Sequence, residues 1–272
     1  MTDTPWLTVR RGAGPLLVSL PHTGNELGPI ADRFVSAWRA RKDVDWHIDA
    51  LYDFVIKYDA TIVRTALSRS LIDVNRDPSG ASLYPGQATT ELCPTTTFDG
   101  EPLYREGAAP TAAELVTRRS EWFEPYHDAL KTELARLRGG HKRVVLYDCH
   151  SIRSRVPRLF EGELPIFNLG TNAGASCDPA LRARIAEALA ASGDSFVLDG
   201  RFKGGWITRS LGRPADGLHA LQMELACRAY LVEPDEPNPT NWPAPIDAAR
   251  AERTSAVLRR VFDEIAAWLR PL

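Results

Sequence analysis

Short apolar runs alternate along the chain with longer segments that have helical periodicity. Five runs rich in Leu, Val and Ile, bounded by turn residues, indicate buried strands at residues 15–20, 60–67, 143–148, 195–200 and 221–226. Four segments with apolar residues three and four apart indicate helices at residues 46–58, 111–138, 178–192 and 245–270. Strands that alternate with helices of this length predict an α/β fold with a mostly parallel sheet covered on both faces.

Two long segments carry neither pattern. Residues 77–110 are rich in Pro, Gly and Thr, and residues 151–177 follow the third predicted strand. Irregular segments of this length in a compact domain are usually functional. We therefore predict that both form walls of a site.

Composition and charge exclude several classes of function. The 33 Lys and Arg residues nearly balance the 35 Asp and Glu residues, so no broad basic surface for nucleic acid or anionic lipid is expected. No apolar run approaches the roughly 20 residues that span a bilayer, and the first residues lack the apolar core of a secretory signal. Four widely spaced cysteines are expected to be reduced, mostly buried thiols. We expect one domain over residues 1–272, in the cytoplasm, with a small anion as its partner; the oligomeric state stays open.

Polar side chains stand where four of the predicted strands end. In an open α/β sheet, ligands bind just past the carboxyl ends of the strands. The residues at these ends are His22, then Arg69 with Asn75 and Arg76, then Asp148 with His150, and finally Glu224. We expect these side chains to meet at one edge of the sheet.

His22 and His150 indicate a metal site, because a catalytic Zn²⁺ uses three imidazole or carboxylate ligands and keeps one position open for water. The third ligand is expected in or near the polar segment "DVDWHID", and His47 is the first choice. The alternatives are Asp45, Asp43 and Glu26. The same ligands also accept Mn²⁺, Fe²⁺, Co²⁺ or Ni²⁺. Without a metal, each histidine would only cap a strand or helix.

Two carboxylates beside this predicted metal site have candidate roles. Asp148 lies two residues before His150 on the same strand face and is expected to orient an imidazole. Glu224 lies in an otherwise apolar strand, where burial would raise its pKa toward neutrality, as a general base that deprotonates water requires. A structural glutamate paired with an arginine is the alternative for Glu224.

Arginines near the strand ends predict an anionic substrate. Arg69 and Arg76 flank a short apolar stretch in "SRSLIDVNRDP". A guanidinium binds a carboxylate through two hydrogen bonds and keeps its charge, so one arginine could polarise a carbonyl while the other holds a carboxylate. Later loops supply further cations that could complete a dicarboxylate site: Arg153, Arg201, Lys203 and Arg209.

Together, these stretches resemble the N-formylglutamate amidohydrolase family. The resemblance covers most of the chain and rests on "LLVSLPHTG", "DVDWHIDALYDF", "SRSLIDVNRDP", "YPGQ", "LCPTTTFDGEPLY", "DCHSIRS", "LFEGELPIFNLGTN", "GRFKGGWITR" and "HALQMELA", in that order. The family is similar in turn to the zinc carboxypeptidases and aspartoacylases. The resemblance implies a three-layer α/β/α sandwich whose central sheet is mixed, which adds an antiparallel component to the sheet that the periodicity predicts.

The resemblance also implies roles for single residues. Aspartoacylase-type enzymes have a histidine and a nearby glutamate after the first strand, an Asn-Arg pair that holds the substrate carboxylate, an Asp-x-His with the last metal ligand, and a late glutamate as base. The matching residues are His22, Asn75 with Arg76, Asp148 with His150, and Glu224, while Arg69 matches the arginine that polarises the scissile carbonyl. The chain departs from this pattern at the second ligand. Asn25 stands three residues after His22, and Glu26 follows it, which favours His47.

The implied activity is metal-dependent hydrolysis of N-formyl-L-glutamate to L-glutamate and formate, the last step of a route of histidine degradation. The alternative is an aspartoacylase-like or carboxypeptidase-like hydrolase of another N-acyl amino acid. A carboxylate-binding protein without activity is more remote, because every catalytic role has a candidate residue.

Overall fold

Seven strands form one mixed sheet in the computed structural model, which describes residues 5–270. The strands are β1 (Leu7–Arg10), β2 (Leu16–Leu20), β3 (Thr61–Thr65), β4 (Val144–Ile152), β5 (Phe167–Gly170), β6 (Phe196–Leu198) and β7 (Leu218–Ala226). Their spatial order is β1-β3-β2-β4-β7-β5-β6. Strands β3, β2, β4 and β7 run parallel, whereas β1 and β5 run antiparallel to β3 and β7. The expected mixed, mostly parallel sheet is confirmed.

Helices cover both faces of this sheet. They are α1 (Ala37–Arg41), α2 (Ile48–Leu51), α3 (Ala112–Arg118), α4 (Glu124–Gly140), α5 (Pro179–Ala190), α6 (Trp206–Leu211) and α7 (Ala248–Leu269). A turn of π-helix joins α3 to α4, and residues 53–58 continue from α2 as 3₁₀-helix. Side-chain caps at Thr111, Asp178 and Asp247 satisfy the free amides at the starts of α3, α5 and α7. The three-layer α/β/α arrangement is therefore present.

Strand alternation divides the apolar residues into two cores. One core lies between the sheet and helices α2, α5 and α7, and it contains Tyr147, Cys149 and Met223. The other lies between the sheet and helices α4 and α6, and it contains Leu146 and Ala220. Because side chains alternate along a strand, the even-numbered polar residues of β4 and β7 lie on the α4 and α6 side.

Several elements differ from the expectation. Strands β1 and β5 and helices α1 and α6 were not expected, because each has six or fewer residues and too little periodicity to stand out. Strand β5 lies inside segment 151–177, which was expected to be irregular throughout. Strand β4 extends to Ile152, so Asp148 and His150 lie within the strand and not after it.

Other expectations on composition can be compared with the structure. All four cysteines are buried and free, as expected. Over residues 5–270, no helix is both long enough and apolar enough to cross a membrane.

The pairing of β4 with β7 positions two pairs of polar residues at the carboxyl ends of the central strands. His150 is the register partner of Glu224, and Asp148 is the register partner of Gln222. All four residues are buried, with no more than 7% of any of them exposed. The parallel register thus places an imidazole beside a carboxylate without a loop between them.

Helix α4 anchors the polar loop that follows β3. The Nε2 of His127 lies 2.7 Å from the backbone oxygen of Val74, and its ring stacks on Phe123. Burial lowers the pKa of His127 from 6.5 to about 4, so the folded protein holds this imidazole neutral at neutral pH.

This anchoring predicts a loss of stability in mild acid. As the pH falls, the unfolded chain binds a proton at His127 first, so its contribution is complete above pH 6.5 and is lost toward about pH 4. Between pH 7.5 and pH 5, the free energy of unfolding should fall by about 2 kcal/mol more in the wild type than in His127→Gln, which keeps a donor for Val74. Denaturant titrations at several pH values measure this difference, and parallel pH profiles of the two proteins would contradict it.

Candidate active site

Two imidazoles and one carboxylate converge at the edge of the sheet. The Nδ1 atoms of His22 and His150 lie 3.1 Å apart, and Oδ2 of Asp45 lies 3.2 Å from the His150 atom and 3.8 Å from the His22 atom. All three residues are buried, and within residues 5–270 they form the one group of histidine, cysteine and acidic side chains with a metal-binding arrangement. Tetrahedral Zn²⁺ ligands at their usual bond lengths lie about 3.4 Å from one another, which matches these separations.

The hydrogen bonds on the far side of each ring determine where its proton lies. The Nε2 of His22 is 2.7 Å from Oδ1 of Asp73, and the Nε2 of His150 is 2.7 Å from Oδ2 of Asp148. A carboxylate can only accept, so each Nε2 carries a hydrogen and each neutral ring presents a lone pair at Nδ1. Two lone pairs and a carboxylate oxygen therefore face one another across a gap that only a positive charge can occupy favourably.

The local backbone explains why Asp45 reaches this group. His22 lies two residues past the end of β2, and its backbone oxygen accepts a hydrogen bond from the amide of Asp45 at 2.9 Å. The amide of Ser151 in β4 donates to Oδ2 of Asp45 at 3.2 Å. Two strands thus hold the carboxylate between the imidazoles.

The structure does not bring the first choice for the third ligand into this cluster. His47 lies two residues past Asp45 in a left-handed backbone conformation (φ 63°), at the N-cap position of α2 but without a capping hydrogen bond from its side chain. Glu26 is exposed. Asp43 accepts a hydrogen bond from the amide of Phe98 and pairs with Arg153. Of the four candidates, only the alternative Asp45 joins His22 and His150.

The cluster and its surroundings carry excess negative charge. Four buried carboxylates lie here, those of Asp45, Asp73, Asp148 and Glu224. Two guanidiniums, of Arg69 and Arg76, accompany them. The carboxylates outnumber the guanidiniums, which favours a bound cation. Oδ1 of Asp45 and Oδ1 of Asp148 are buried with no hydrogen-bond partner among the described residues, so the site has acceptors left over for such an ion.

The pKa values of the two imidazoles respond to this charge in opposite directions. Burial alone would lower the pKa of His150, but Asp148 and Asp45 outweigh it and raise the pKa well above its usual range. Burial and the nearby Arg69 lower the pKa of His22. The two imidazoles together thus favour one positive charge, on His150 beside Asp45 and Asp148.

Glu224 has the protonation behaviour of a general base. It lies on the wall of the cavity that contains both imidazoles, and Nε2 of Gln222 donates to its Oε2 at 3.2 Å. Burial raises the pKa of Glu224 to about 7. A carboxyl group with this pKa can accept and return a proton near neutral pH.

Asp73 connects the two arginines to the imidazole of His22, and the sequence reasoning did not single it out. Nη2 of Arg69 lies 2.6 Å from Oδ2 of Asp73, and Nη2 of Arg76 lies 3.5 Å from the same oxygen. Burial alone would raise the pKa of Asp73, but Arg76, His22 and Arg69 outweigh it and hold the pKa well below its usual range. Its position in the sequence between Arg69 and Asn75 could have indicated that Asp73 belongs to the site.

Asn75 supports the carboxylate that holds His150. Its Nδ2 donates at 3.2 Å to Oδ2 of Asp148, which also accepts from Nε2 of His150, and its Oδ1 accepts from the amide of Ile207 at 2.9 Å. Asn75 was expected to bind the substrate carboxylate, whereas here its amide contacts the carboxylate partner of the imidazole. Gln222, also missed, accepts from the amide of Gly205 at 2.7 Å.

The cavity over the cluster is positively charged on its outer wall. Arg69, Arg76 and Arg201 line it, together with Tyr84, Phe98 and Phe202. Burial lowers the pKa of Arg201, and the charge of Arg76 adds to this effect. The other expected cations, Arg153, Lys203 and Arg209, do not line this cavity. Arg153 pairs with Asp43 and Asp99, and Arg209 donates to the backbone oxygen of Gly204.

Comparison with known proteins identifies the family of this chain. The family model described as N-formylglutamate amidohydrolase matches residues 14–231. An N-formylglutamate deformylase of Pseudomonas aeruginosa is 49% identical over 264 residues, which is 96% of each chain. The chain belongs to the N-formylglutamate amidohydrolase family. A second N-formylglutamate deformylase, from Pseudomonas putida, is 44% identical over 96% of each chain.

Solved structures show that the fold also belongs with this family. An N-formylglutamate amidohydrolase from Ralstonia eutropha superposes with a TM-score of 0.78 at 23% identity, covering 97% of this chain and 98% of the other. A protein from Agrobacterium tumefaciens superposes with a TM-score of 0.70 at 15% identity, covering 97% and 96%. The fold therefore persists where little of the amidohydrolase sequence is shared.

The contact between Gly205 and Asn75 predicts a position where one methyl group should disturb the site. A Cβ at residue 205 would lie 2.4 Å from Nδ2 of Asn75, so Gly205→Ala should displace the amide from Asp148. A shift of about 1 Å in a catalytic group costs on the order of 100-fold, and we expect a loss of this size in kcat/KM with little change in fold.

The matched control is Gly139→Ala near the end of α4, where a Cβ meets nothing within 4 Å. This variant should keep full activity and gain a few tenths to about 1 kcal/mol of stability. Circular dichroism and steady-state kinetics on both variants measure these effects. Unchanged kcat/KM in Gly205→Ala would contradict the role assigned to Asn75.

Proposed function

We propose that this chain hydrolyses N-formyl-L-glutamate to L-glutamate and formate with the help of a divalent metal ion. The observation that carries the proposal is the convergence of His22, Asp45 and His150 beside a cavity that Glu224 and three arginines line. Hydrolysis of a formamide needs an activated water and a polarised carbonyl, and the cavity supplies residues for both. The activity in the names of the two Pseudomonas relatives supports this substrate, and we infer a place at the end of a route of histidine degradation.

His22 Nδ1, His150 Nδ1 and Asp45 Oδ2 would hold the metal. The donor set of two imidazoles and one carboxylate, with spacings close to those of a tetrahedron, fits Zn²⁺ with one position open, although Mn²⁺, Fe²⁺, Co²⁺ and Ni²⁺ accept the same donors. When bound, such an ion acts as a Lewis acid toward water and the formyl oxygen. Asp73 and Asp148 keep the two rings in the tautomer that this role requires.

Glu224 acts as the general base. Its carboxylate accepts a proton from the water that attacks the formyl carbon and returns this proton to the leaving nitrogen. A pKa of about 7 lets Glu224 do both near neutral pH. The hydrogen bond from Gln222 holds the carboxylate toward the cavity.

Arg69 stabilises the charge that develops on the formyl oxygen. Its Nη1 lies 3.7 Å from Oδ1 of Asp45, and its guanidinium lies over the ring of Phe98 at 4.7 Å. The guanidinium is buried and ion-paired, so it is already oriented before the substrate arrives. Donors that are fixed in this way contribute the most to stabilising a transition state.

Arg76 and Arg201 bind the carboxylates of the substrate. Arg76 donates to the backbone oxygen and hydroxyl of Thr90, and Arg201 donates to the backbone oxygens of Leu159 and Ala88. Arg201 forms no ion pair with a carboxylate of residues 5–270. A partly buried guanidinium without a counter-ion favours an anionic ligand.

Removal of metal tests the proposed function directly. Protein treated with a chelator and then desalted should lose at least about 100-fold in turnover of N-formyl-L-glutamate, because a Lewis acid contributes several kcal/mol to the transition state. One equivalent of Zn²⁺ or another divalent ion should restore the activity. Released formate and bound metal are measured on the same samples, with N-acetyl-L-glutamate as the comparison substrate. Full turnover by the metal-free protein would contradict the proposal.

A pair of variants tests which residue is the third ligand. Asp45→Ala should weaken metal binding by more than about 100-fold. Loss of a residue that only hydrogen-bonds to a metal ligand already costs up to about 100-fold, and Asp45 would be a ligand itself. His47→Asn should bind metal as the wild type does, and asparagine tolerates the left-handed backbone at this position. Competition with a chromophoric chelator measures both affinities. Loss of metal in His47→Asn and not in Asp45→Ala would reverse the assignment.

A further inference from the structure

Tyr84, the first residue of the "YPGQ" stretch, lies between two arginines on the wall of the cavity. The guanidinium of Arg201 lies 5.1 Å from the centre of its ring, and that of Arg209 lies 4.9 Å from it. Most neighbouring residues in segment 79–87 are exposed. The mechanism above gives Tyr84 no role, although it lines the cavity with Arg201.

The hydroxyl of Tyr84 fixes the ring to the backbone of residues 203–204. It donates to the backbone oxygen of Gly204 at 3.1 Å and accepts from the amide of Lys203 at 3.1 Å. Arg209 donates to the same oxygen of Gly204 at 2.8 Å. The ring is therefore held at both its hydroxyl and its face, although it belongs to a largely exposed segment.

Arg201 depends on this segment for its position. Its Nε donates to the backbone oxygen of Leu159 and its Nη2 to that of Ala88, both at 2.7 Å. Its guanidinium lies between two aromatic rings, since Phe202 is 5.3 Å away and Tyr84 faces it as well. Ala88 and Tyr84 lie in one loop, so this loop supplies two of the contacts that orient the arginine.

We propose that Tyr84 is a positioning residue that fixes Arg201 over the cavity and thereby determines the preference for a substrate with a carboxylate at that end. This inference rests on the proposed function, in which Arg201 binds one of the two glutamate carboxylates. An arginine side chain has many rotamers, and ordering one on binding reduces affinity. A ring that stacks on the guanidinium before the substrate arrives removes that loss. The stacked contact leaves the edge of the guanidinium available for a carboxylate.

The geometry also gives Arg209 a place in this arrangement. It stacks on the same ring as Arg201 but does not line the cavity. Arg209 thus contributes to the position of Tyr84 and not to direct contact with the substrate. Of the four later cations expected from the sequence, Arg201 thus binds the anion and Arg209 supports the tyrosine.

The test compares three substrates on matched variants. N-formyl-L-glutamate is compared with two amides of the same length. N-formyl-L-glutamine lacks the side-chain carboxylate, and the α-amide of N-formyl-L-glutamate lacks the α-carboxylate. The variants are Arg201→Met, Tyr84→Phe, Tyr84→Ala and the double variant Tyr84→Ala/Arg201→Met. Tyr58→Phe is the control, because its hydroxyl contacts Asp263 far from the cavity.

Arg201→Met should raise KM for N-formyl-L-glutamate about 100-fold and abolish the preference for a carboxylate at one end of the substrate. Tyr84→Ala should reduce the preference at the same end by about tenfold, and Tyr84→Phe should reduce it by about threefold. Both variants should act through KM, with kcat within about twofold of the wild type. The double variant should be no worse than Arg201→Met alone. Tyr58→Phe should behave as wild type.

Three results would overturn the inference, and they are distinguishable. If Arg201→Met removes the preference while Tyr84→Ala keeps it, the arginine binds the anion but Tyr84 does not position it. If Arg201→Met keeps the preference at both ends, the role of Arg201 in the proposed function is wrong, and the inference on Tyr84 falls with it. Additive effects in the double variant also count against the positioning role.

Discussion

The candidate site depends on two imidazole nitrogens that face each other at 3.1 Å with their lone pairs directed inward. Asp73 and Asp148 impose this arrangement, because each accepts the hydrogen of the opposite ring nitrogen. Asp45 then adds a negative oxygen to the same point. Such a group is repulsive by itself in a buried place, and a cation relieves the repulsion. Asn75 in turn donates to Asp148, and the absence of a side chain at Gly205 leaves room for its amide.

The fold meets this constraint by bringing polar residues from separate strands to one edge. His22 follows β2, while His150 in β4 and Glu224 in β7 are direct register partners. Buried carboxylates are costly unless cations accompany them, and the loop after β3 supplies Arg69 and Arg76 for this purpose. His127 on α4 ties that loop to the helical layer, so the stability of the fold and the geometry of the site are linked.

Much of the site could be predicted because parallel strands place their carboxyl ends together. This rule identified His22, His150, Glu224 and the arginines after β3, since each is close in sequence to an apolar run. The choice between Asp45 and His47 could not be made in this way, because both lie in one polar segment and the turn before α2 decides between them. Which arginines can bind the substrate also depends on side-chain partners that the strand-end rule does not reveal. Asp43 and Asp99 form ion pairs with Arg153, whereas Tyr84 and Phe202 stack on Arg201. Gln222 was missed although it shares the two-residue period of Glu224.

The most direct test of the account is a crystal structure of the purified protein with anomalous data collected on both sides of a metal absorption edge. The account requires one anomalous peak within about 2.0–2.2 Å of Nδ1 of His22, Nδ1 of His150 and an oxygen of Asp45. Their Nε2 atoms should remain bonded to Asp73 and Asp148. A peak on His47, coordination through Nε2, or active crystals with no peak at this position would contradict it.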